Sequence, residues 1–247
     1  TRRIEIPWDM ERIGPQLRGR YDLIPKDATL KNLLAVVPGT SSELKPVLLV
    51  THHDSCIWGP GAGDAGSAVV ALLETIRILS QSPPSRTTYF LFTDAEEYGL
   101  VGATAISLEP ELPFQAPAFV LNFDARGSTR AVPMFETHPG NHASIKRLIN
   151  DLAFPRITTS LAVTVYRLLP NATDFNVWDQ RMGWAGFNFA TIGGAHRYHT
   201  PEDIPDNLSD RMLQHMGDHV LQMQHALDYL VEAELAGFVP DAEAADD

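Results

Sequence analysis

Two histidines and four acidic residues of this 247-residue chain have the types and surroundings that a metal-dependent hydrolase needs. They are His52, Asp64, Glu96, Glu97, Asp124 and His199. Imidazole nitrogens and carboxylate oxygens are ligands of zinc, and two ions about 3.5–4 Å apart can share a carboxylate during hydrolysis. A zinc pair takes roughly five protein ligands and leaves room for one free general base. The adjacent glutamates suit this division, with one as a ligand and one as the base for the attacking water.

Most of these residues follow the end of a predicted strand. His52 follows the apolar run PVLLV, and the two glutamates follow TTYFLF. Asp124 follows AFVL, and His199 lies in a loop after GFNFATI. Asp64 lies in the glycine-rich turn GAGDAGS, directly before the helical pattern AVVALLETIRIL. Because α/β sheets bind ligands outside the carboxyl ends of their strands, we expect all six residues to converge on one site.

The apolar pattern predicts alternating strands and helices. Segments 31–37 and 47–51 are predicted as neighbouring strands joined by the turn PGTSSELKP, and 87–93 as a buried central strand. A helix is predicted over 97–107, and a long closing helix over 208–233. The pattern therefore indicates an α/β fold, a single three-layer domain with a central mixed, mostly parallel β-sheet flanked by helices.

Composition limits the size and class of the molecule. With 44% hydrophobic residues, the chain can bury one sizeable core, so 1–237 is predicted as one domain and the acidic segment 238–247 as a disordered tail. No apolar run approaches the roughly 18 residues that cross a membrane, so we expect no membrane contact from this chain itself. The formal charge of −12 argues against nucleic-acid binding. Cys56 is the single cysteine and is interpreted as a packed loop thiol rather than a soft metal ligand.

Five motifs occur in the order of a known family. They are HxD at His52, GxxDxGS at Asp64, DAEExGLxGA at Glu96, NxD at Asp124 and YHTxxD at His199. Together they resemble the M28 zinc aminopeptidases, over about residues 31–207. The stretch FDARGSTRAVPMFETHPGN and the run from TDFNVW to YHTPEDIPDN are most similar to the subgroup of vacuolar and endoplasmic-reticulum membrane metallopeptidases. This resemblance implies the zinc-exopeptidase fold.

The resemblance also implies the ligands of two zinc ions. His52 and Asp124 hold one ion, and Glu97 and His199 hold the other. Asp64 bridges both. Many members carry glutamate at the position of Asp124, and either carboxylate can ligate.

Two further residues receive catalytic roles from the resemblance. Glu96 is the base that deprotonates the bridging water. Asp54, two residues after His52, accepts the second imidazole N–H and fixes the tautomer. The peptide bond between Asp64 and Ala65 is expected to be cis, as it often is after the bridging residue in this family.

Several residues near these motifs have open roles. Asp174 matches a carboxylate that the family keeps near the site. Arg126 either pairs with a carboxylate such as Glu136 or contacts the substrate. Tyr198 and Trp58 either line the pocket for the first side chain or pack within their loops.

Three functions stay open from the sequence. The first is a dizinc aminopeptidase acting on peptide substrates. Carboxypeptidase or dipeptidase action of the same fold also stays open. A carboxypeptidase would need a basic pocket for the substrate carboxylate, for which Arg126, Arg167, Arg181 and Arg197 are available. The second is a glutaminyl cyclase, which uses one zinc ion and lacks the first histidine ligand, so the presence of His52 favours hydrolysis. The third is a non-catalytic interaction domain, a class that loses ligands or the base, whereas this chain keeps all six residues. Oligomeric state and substrate preference are left open.

The chain begins with threonine and has no charged-then-apolar signal segment. We therefore expect it to be a processed or excised piece of a longer protein. The subgroup resemblance implies a membrane-anchored parent and an extracytoplasmic location, either periplasmic, secreted or lumenal.

Overall fold

Among the residues that the structure describes, seven strands form one mixed sheet in the computed structural model of this protein. The structure describes residues 1–14, 23–112, 114–140, 142–153, 155–168, 172–230 and 234–235. The strands are β1 (Arg2–Pro7), β2 (Thr29–Val37), β3 (Val47–His52), β4 (Thr88–Thr93), β5 (Phe119–Ala125), β6 (Met134–Thr137) and β7 (Gly186–Thr191). Their order across the sheet is β1-β2-β4-β3-β5-β7-β6. The predicted tail 238–247 lies outside the described residues.

The centre of the sheet is parallel and its edges are antiparallel. Strands β4, β3, β5 and β7 run parallel to one another. Strand β2 pairs antiparallel with β4, β1 with β2, and β6 with β7. This arrangement confirms the predicted α/β fold with a mixed sheet. The prediction that segments 31–37 and 47–51 are neighbouring strands is wrong, because β4 is inserted between β2 and β3.

In the described part of the chain, helices cover both faces of the sheet and enclose two cores. The helices are α1 (Ala68–Gln81), α2 (Val101–Ser107), α3 (His142–Leu148), α4 (Ser160–Leu168), α5 (Asp174–Asn176) and α6 (Asp210–Asp228). Helices α1 and α6 pack over one face, and α2 packs over the other. Along β3, Val47 and Leu49 face the first core, whereas Leu48 and Val50 face the second. Burial on both faces explains why this strand is a continuous apolar run.

Two predicted helices have different bounds in the structure. The helix expected over 97–107 begins only at Val101, because Leu100 has a left-handed φ of 59° and the residues before it form turns. The closing helix expected over 208–233 is described as Asp210–Asp228, and 231–233 lie outside the described residues. Strand β1 and helix α4 were not predicted from the sequence.

The carboxyl ends of the parallel strands meet at one edge of the sheet. His52 is the last residue of β3 and lies in register with Thr93, the last residue of β4. Asp124 is the second-to-last residue of β5, and the loop after β7 carries His199. These ends position the candidate side chains, as expected for an α/β sheet.

Candidate metal centre

The Asp64 carboxylate lies between two histidines. Its Oδ1 is 3.1 Å from His52 Nε2, and its Oδ2 is 3.1 Å from His199 Nε2. Asp64 belongs to an irregular turn over Ala62–Ser67 that leads into α1, and its own φ and ψ of −107° and 96° are not helical. The peptide bond between Asp64 and Ala65 is cis, which confirms the expectation from the sequence. The turn thus presents both carboxylate oxygens to opposite partners.

Each histidine also contacts a second carboxylate. His52 Nε2 lies 3.5 Å from Asp124 Oδ1, and His199 Nε2 lies 2.8 Å from Glu97 Oε2. His199 itself has a left-handed φ of 56°, a conformation that non-glycine residues rarely adopt and that is enriched at functional sites. The geometry therefore joins two His–carboxylate pairs through one shared aspartate.

The donor atoms fit zinc ions on chemical and geometric grounds. Donors at about 2.0–2.2 Å from a tetrahedral ion lie roughly 3.3–3.6 Å apart, close to the His-to-carboxylate separations of 2.8–3.5 Å. Among the described residues, there are two groups of three possible ligands in which one donor atom from each residue lies within 4.8 Å of those of the other two. One group is His52, Asp64 and Asp124, and the other is Cys56, Glu97 and His199. In addition, Glu97 Oε1 is buried without a hydrogen-bond partner among the described residues, as a ligand atom awaiting a cation would be.

Glu96 and Asp54 lie immediately beside these donors. Glu96 is buried and belongs to neither ligand group. The Asp54 carboxylate accepts hydrogen bonds from the backbone N–H of Glu96 at 3.0 Å and of Glu97 at 3.2 Å. His52 Nδ1 is 3.1 Å from the backbone carbonyl of Asp54 and 3.5 Å from its Oδ1. The carbonyl is thus the nearer acceptor for a proton on Nδ1, and the carboxylate ties the end of β3 to the loop that carries the glutamates.

Burial and mutual contacts shift the pKa values of His199, Glu97, Glu96 and Asp64. Burial alone would lower the pKa of His199, but its contacts with Asp64 and Glu97 outweigh burial and raise it to about 10. Burial raises the pKa of Glu97 to about 7 and that of Glu96 well above its ordinary value. Burial would also raise the pKa of Asp64, yet the two histidines hold it well below its usual range. The two histidines therefore favour a charged Asp64, whereas burial disfavours charge on Glu96 and Glu97.

Asp203 is a positioning residue that sequence reasoning missed. Its carboxylate accepts hydrogen bonds from the backbone N–H of Gly63 at 2.7 Å and of Asp64 at 3.1 Å, and its side chain is buried. It thereby fixes the turn that carries the shared carboxylate. The available signal was its place at the end of the motif YHTPED, four residues after His199.

The residues with open roles surround the centre at different depths. The Tyr198 ring stacks on the His199 imidazole with centroids 3.7 Å apart, and the Arg126 guanidinium lies 5.2 Å from the centroid of Tyr198. Buried Asp174 begins α5 and accepts a hydrogen bond from the Thr93 hydroxyl. Burial raises the pKa of Asp174 to about 7 despite that hydrogen bond. Asp174, Arg126 and Tyr198 therefore lie near the centre, and Tyr198 contacts the candidate ligand His199 directly.

A cavity of about 280 Å³ opens beside Glu97 and His199. Exposed Trp58 and half-buried Cys56 line it, together with Ile57. Trp58 thus lies on the wall of this cavity. The cavity is large enough for a side chain of a substrate next to the candidate centre.

Comparisons with known proteins place the sequence in one family. The sequence model of peptidase family M28 matches residues 32–224. A vacuolar membrane protease of Kluyveromyces lactis is 30% identical over 186 residues, which cover 75% of this chain and 20% of that protein. A vacuolar membrane protease of Candida albicans is 30% identical over 213 residues, covering 86% and 24%. The chain therefore spans about a fifth to a quarter of the length of these curated relatives.

Solved structures agree on the fold. A leucine aminopeptidase precursor of Bacteroides thetaiotaomicron superposes with a TM-score of 0.69 at 18% identity, covering 91% of this chain and 83% of that one. A glutaminyl cyclase of the same species gives 0.67 at 17% identity, covering 91% and 83%. The zinc aminopeptidase BSAP of Bacillus subtilis gives 0.63 at 22% identity, covering 84% and 53%. With the family match over most of its length and this shared fold, the chain belongs to peptidase family M28.

Proposed function

We propose that this chain is a dizinc aminopeptidase that removes N-terminal residues from peptides. The observation that carries the proposal is the position of Asp64, whose two carboxylate oxygens each lie 3.1 Å from a different histidine. A shared carboxylate of this kind suits a pair of ions rather than a single ion. Membership of a peptidase family supports the same reaction class.

Each half of the centre has its own proposed ligands. His52 and Asp124 would hold one ion, Glu97 and His199 the other, and Asp64 both. Bound zinc would polarise the scissile carbonyl and make a water molecule more acidic. The other catalytic tasks fall to the protein.

Glu96 is the proposed general base. It would take a proton from the attacking water and return it to the nitrogen of the leaving peptide. Its burial favours this role, because burial raises the pKa of the Glu96 carboxyl above its ordinary value, as in many carboxyls that transfer protons in enzymes. The proposed task of Asp54 is to hold His52 and the loop of Glu96 in register.

Charge around the centre favours a substrate ammonium over a substrate carboxylate. The buried side chains here are mainly acidic, with Glu96 and Asp174 beyond the metal ligands. The guanidinium of Arg197, one of the arginines considered for a carboxylate pocket, donates hydrogen bonds to Ser128 and to the Asn207 carbonyl. That guanidinium is therefore engaged in loop structure, which removes one of the four arginines considered for a carboxylate pocket.

The relatives' names bear on cellular context. They are called vacuolar membrane proteases, and we propose that this chain is likewise the peptidase domain of a membrane-anchored protein that faces a lumenal or extracytoplasmic space. Among the residues that the structure describes, no helix combines the length and apolar character required to cross a bilayer. The proposed domain covers 1–237.

Metal analysis together with a substrate panel tests the proposal. We expect two zinc ions per chain and release of p-nitroaniline from unblocked aminoacyl-p-nitroanilides. Two matched controls are used. One is an N-acetylated aminoacyl-p-nitroanilide, and the other is a peptide with a blocked N-terminus and a free C-terminus. Cyclisation of an N-terminal glutamine, with one bound ion, would instead support a glutaminyl cyclase. Two bound ions without cleavage of any unblocked substrate would contradict the aminopeptidase.

A further inference from the structure

One ligand group in this chain contains a sulfur. The possible ligand atoms of Cys56, Glu97 and His199 all lie within 4.8 Å of one another, whereas the group at His52 has only nitrogen and oxygen donors. Cys56 lies in the loop after β3, where its carbonyl accepts a hydrogen bond from Gly59 N–H at 3.3 Å. The loop therefore brings the thiol to one half of the centre and not to the other.

The Glu97 carboxylate is a second, independent indication of a ligand at this half. Its side chain is only 6% exposed, and Oε2 lies 2.8 Å from His199 Nε2. Its Oε1 has no hydrogen-bond partner among the described residues. A buried carboxylate oxygen left unpaired is costly unless a cation or a donor meets it.

We propose that the Cys56 sulfur is a protein ligand of the metal ion held by Glu97 and His199. This inference rests on the proposed metal centre and adds a residue to it. Zinc accepts thiolate sulfur at about 2.3 Å together with imidazole and carboxylate ligands. When the sulfur–metal bond forms, the thiol proton leaves to solvent and the thiolate supplies the bonding electron pair.

A thiolate on one side makes the two metal positions chemically unequal. Soft sulfur donors favour zinc and cadmium, whereas an all-nitrogen-and-oxygen group discriminates less against manganese. Sulfur ligation also occupies the thiol that faces the cavity beside Trp58 and Ile57. Bound metal should therefore protect Cys56 from alkylation.

Cobalt substitution provides a readout that does not depend on activity. Cobalt(II) bound by a thiolate has a sulfur-to-metal charge-transfer band in the near ultraviolet, and Cys56 is the single cysteine of the chain, so the band has one assignment. We expect the metal-free protein to bind two cobalt ions and to show this band. Cys56→Ser should bind cobalt without the band. His199→Ala should lose the band, whereas the matched variant His52→Ala, which alters the sulfur-free group, should keep it.

Alkylation by iodoacetamide gives a second measurement on the same proteins. Zinc should slow the reaction of Cys56 in the unaltered protein and in His52→Ala, but not in His199→Ala. Two bound cobalt ions without the band, a band that persists in His199→Ala, or a thiol that zinc does not protect would each overturn the proposal while leaving the dizinc centre intact. Failure to bind cobalt at all would overturn the centre and this inference together.

Discussion

Glu96 and Glu97 are neighbours in sequence with different surroundings. Glu97 contacts His199 at 2.8 Å and belongs to a ligand group, whereas Glu96 is buried outside both groups. The Asp54 carboxylate holds the backbone N–H of both residues and so fixes the loop in which they diverge. Glu97 can therefore bind metal while Glu96 accepts and donates protons.

The separate roles of Glu96 and Glu97 predict different effects of the two isosteric changes Glu96→Gln and Glu97→Gln. Glu96→Gln should keep both metal ions and lower kcat by about 10²–10⁴-fold, because the amide cannot accept the proton of the attacking water. Glu97→Gln should weaken one metal ion. Turnover kinetics and metal content on the same preparations measure both effects. Unchanged turnover in Glu96→Gln, with both ions kept in Glu97→Gln, would reverse the assignment.

The shared carboxylate predicts a pattern of metal loss. His52→Ala and His199→Ala should each weaken a different ion, because each histidine contacts a different oxygen of Asp64. Asp64→Ala should weaken both ions. Metal titration of the three variants, followed by elemental analysis, distinguishes the cases. Loss of the same single ion in all three would exclude a bridged pair.

At the scale of elements, two distant loops depend on each other. The turn before α1 carries Asp64, and the loop after β7 carries both His199 and Asp203. Asp203 accepts the backbone N–H groups of Gly63 and Asp64, so the second loop holds the first in position. The ligand geometry is therefore a property of the pair of loops.

Asp203→Asn tests this coupling. The amide keeps one acceptor oxygen in place of two, so we expect a loss of about 1–3 kcal/mol in the free energy of unfolding. The metal ions should bind more weakly although no ligand is changed. Denaturant unfolding and metal titration measure these effects, with the exposed neighbour Asp206→Asn as the control. Equal metal affinity in both variants would count against the coupling.

Local patterns predicted the elements better than their arrangement. Strand β4 begins within a residue of its predicted start because its apolar run and the following acidic motif mark it clearly. The insertion of β4 between β2 and β3 was not predictable, since the turn PGTSSELKP shows only that two strands follow one another. The late start of α2 depends on the left-handed backbone conformation of Leu100. A leucine in the sequence does not predict that conformation.

The ligand set was predictable for a different reason. Ordered motifs identify the side chains that must meet, and the parallel strand ends explain how they do. The hydrogen bonds of Asp203 were not predictable, because they join backbone groups 139 and 140 residues away. The closeness of Cys56 to Glu97 and His199 likewise depends on how three loops pack, which no local pattern specifies.

For the whole molecule, the metal-free centre makes stability depend on pH. The pKa of Glu97 rises from an ordinary 4.5 to about 7, that of Asp174 from 3.8 to about 7, and that of His199 from 6.5 to about 10. Folding therefore favours the protonated form of each group. This stabilisation is present at low pH. It is lost as the pH rises from the ordinary pKa values through the pKa values of the folded protein.

We expect the Tm of the metal-free protein to fall between about pH 5 and pH 9. Zinc binds deprotonated Glu97 and neutral His199 and should replace the protons lost from these two groups, so the zinc-loaded protein should show a smaller decline in Tm. Thermal unfolding with and without excess chelator across this range measures the difference. A metal-free Tm that rises with pH over the window would contradict the predicted charge balance.

The long separation between Asp64 and Asp203 has a consequence for biosynthesis. A ribosome adds about 5–20 residues per second, so the Asp64 turn emerges many seconds before the residue that fixes it. A nascent chain therefore lacks an organised bridging turn until every strand of the described sheet has been made. We expect metal to be acquired by the finished protein, in the compartment where it comes to reside. The metal supply of that compartment, rather than that of the site of translation, would then decide which ions the centre receives.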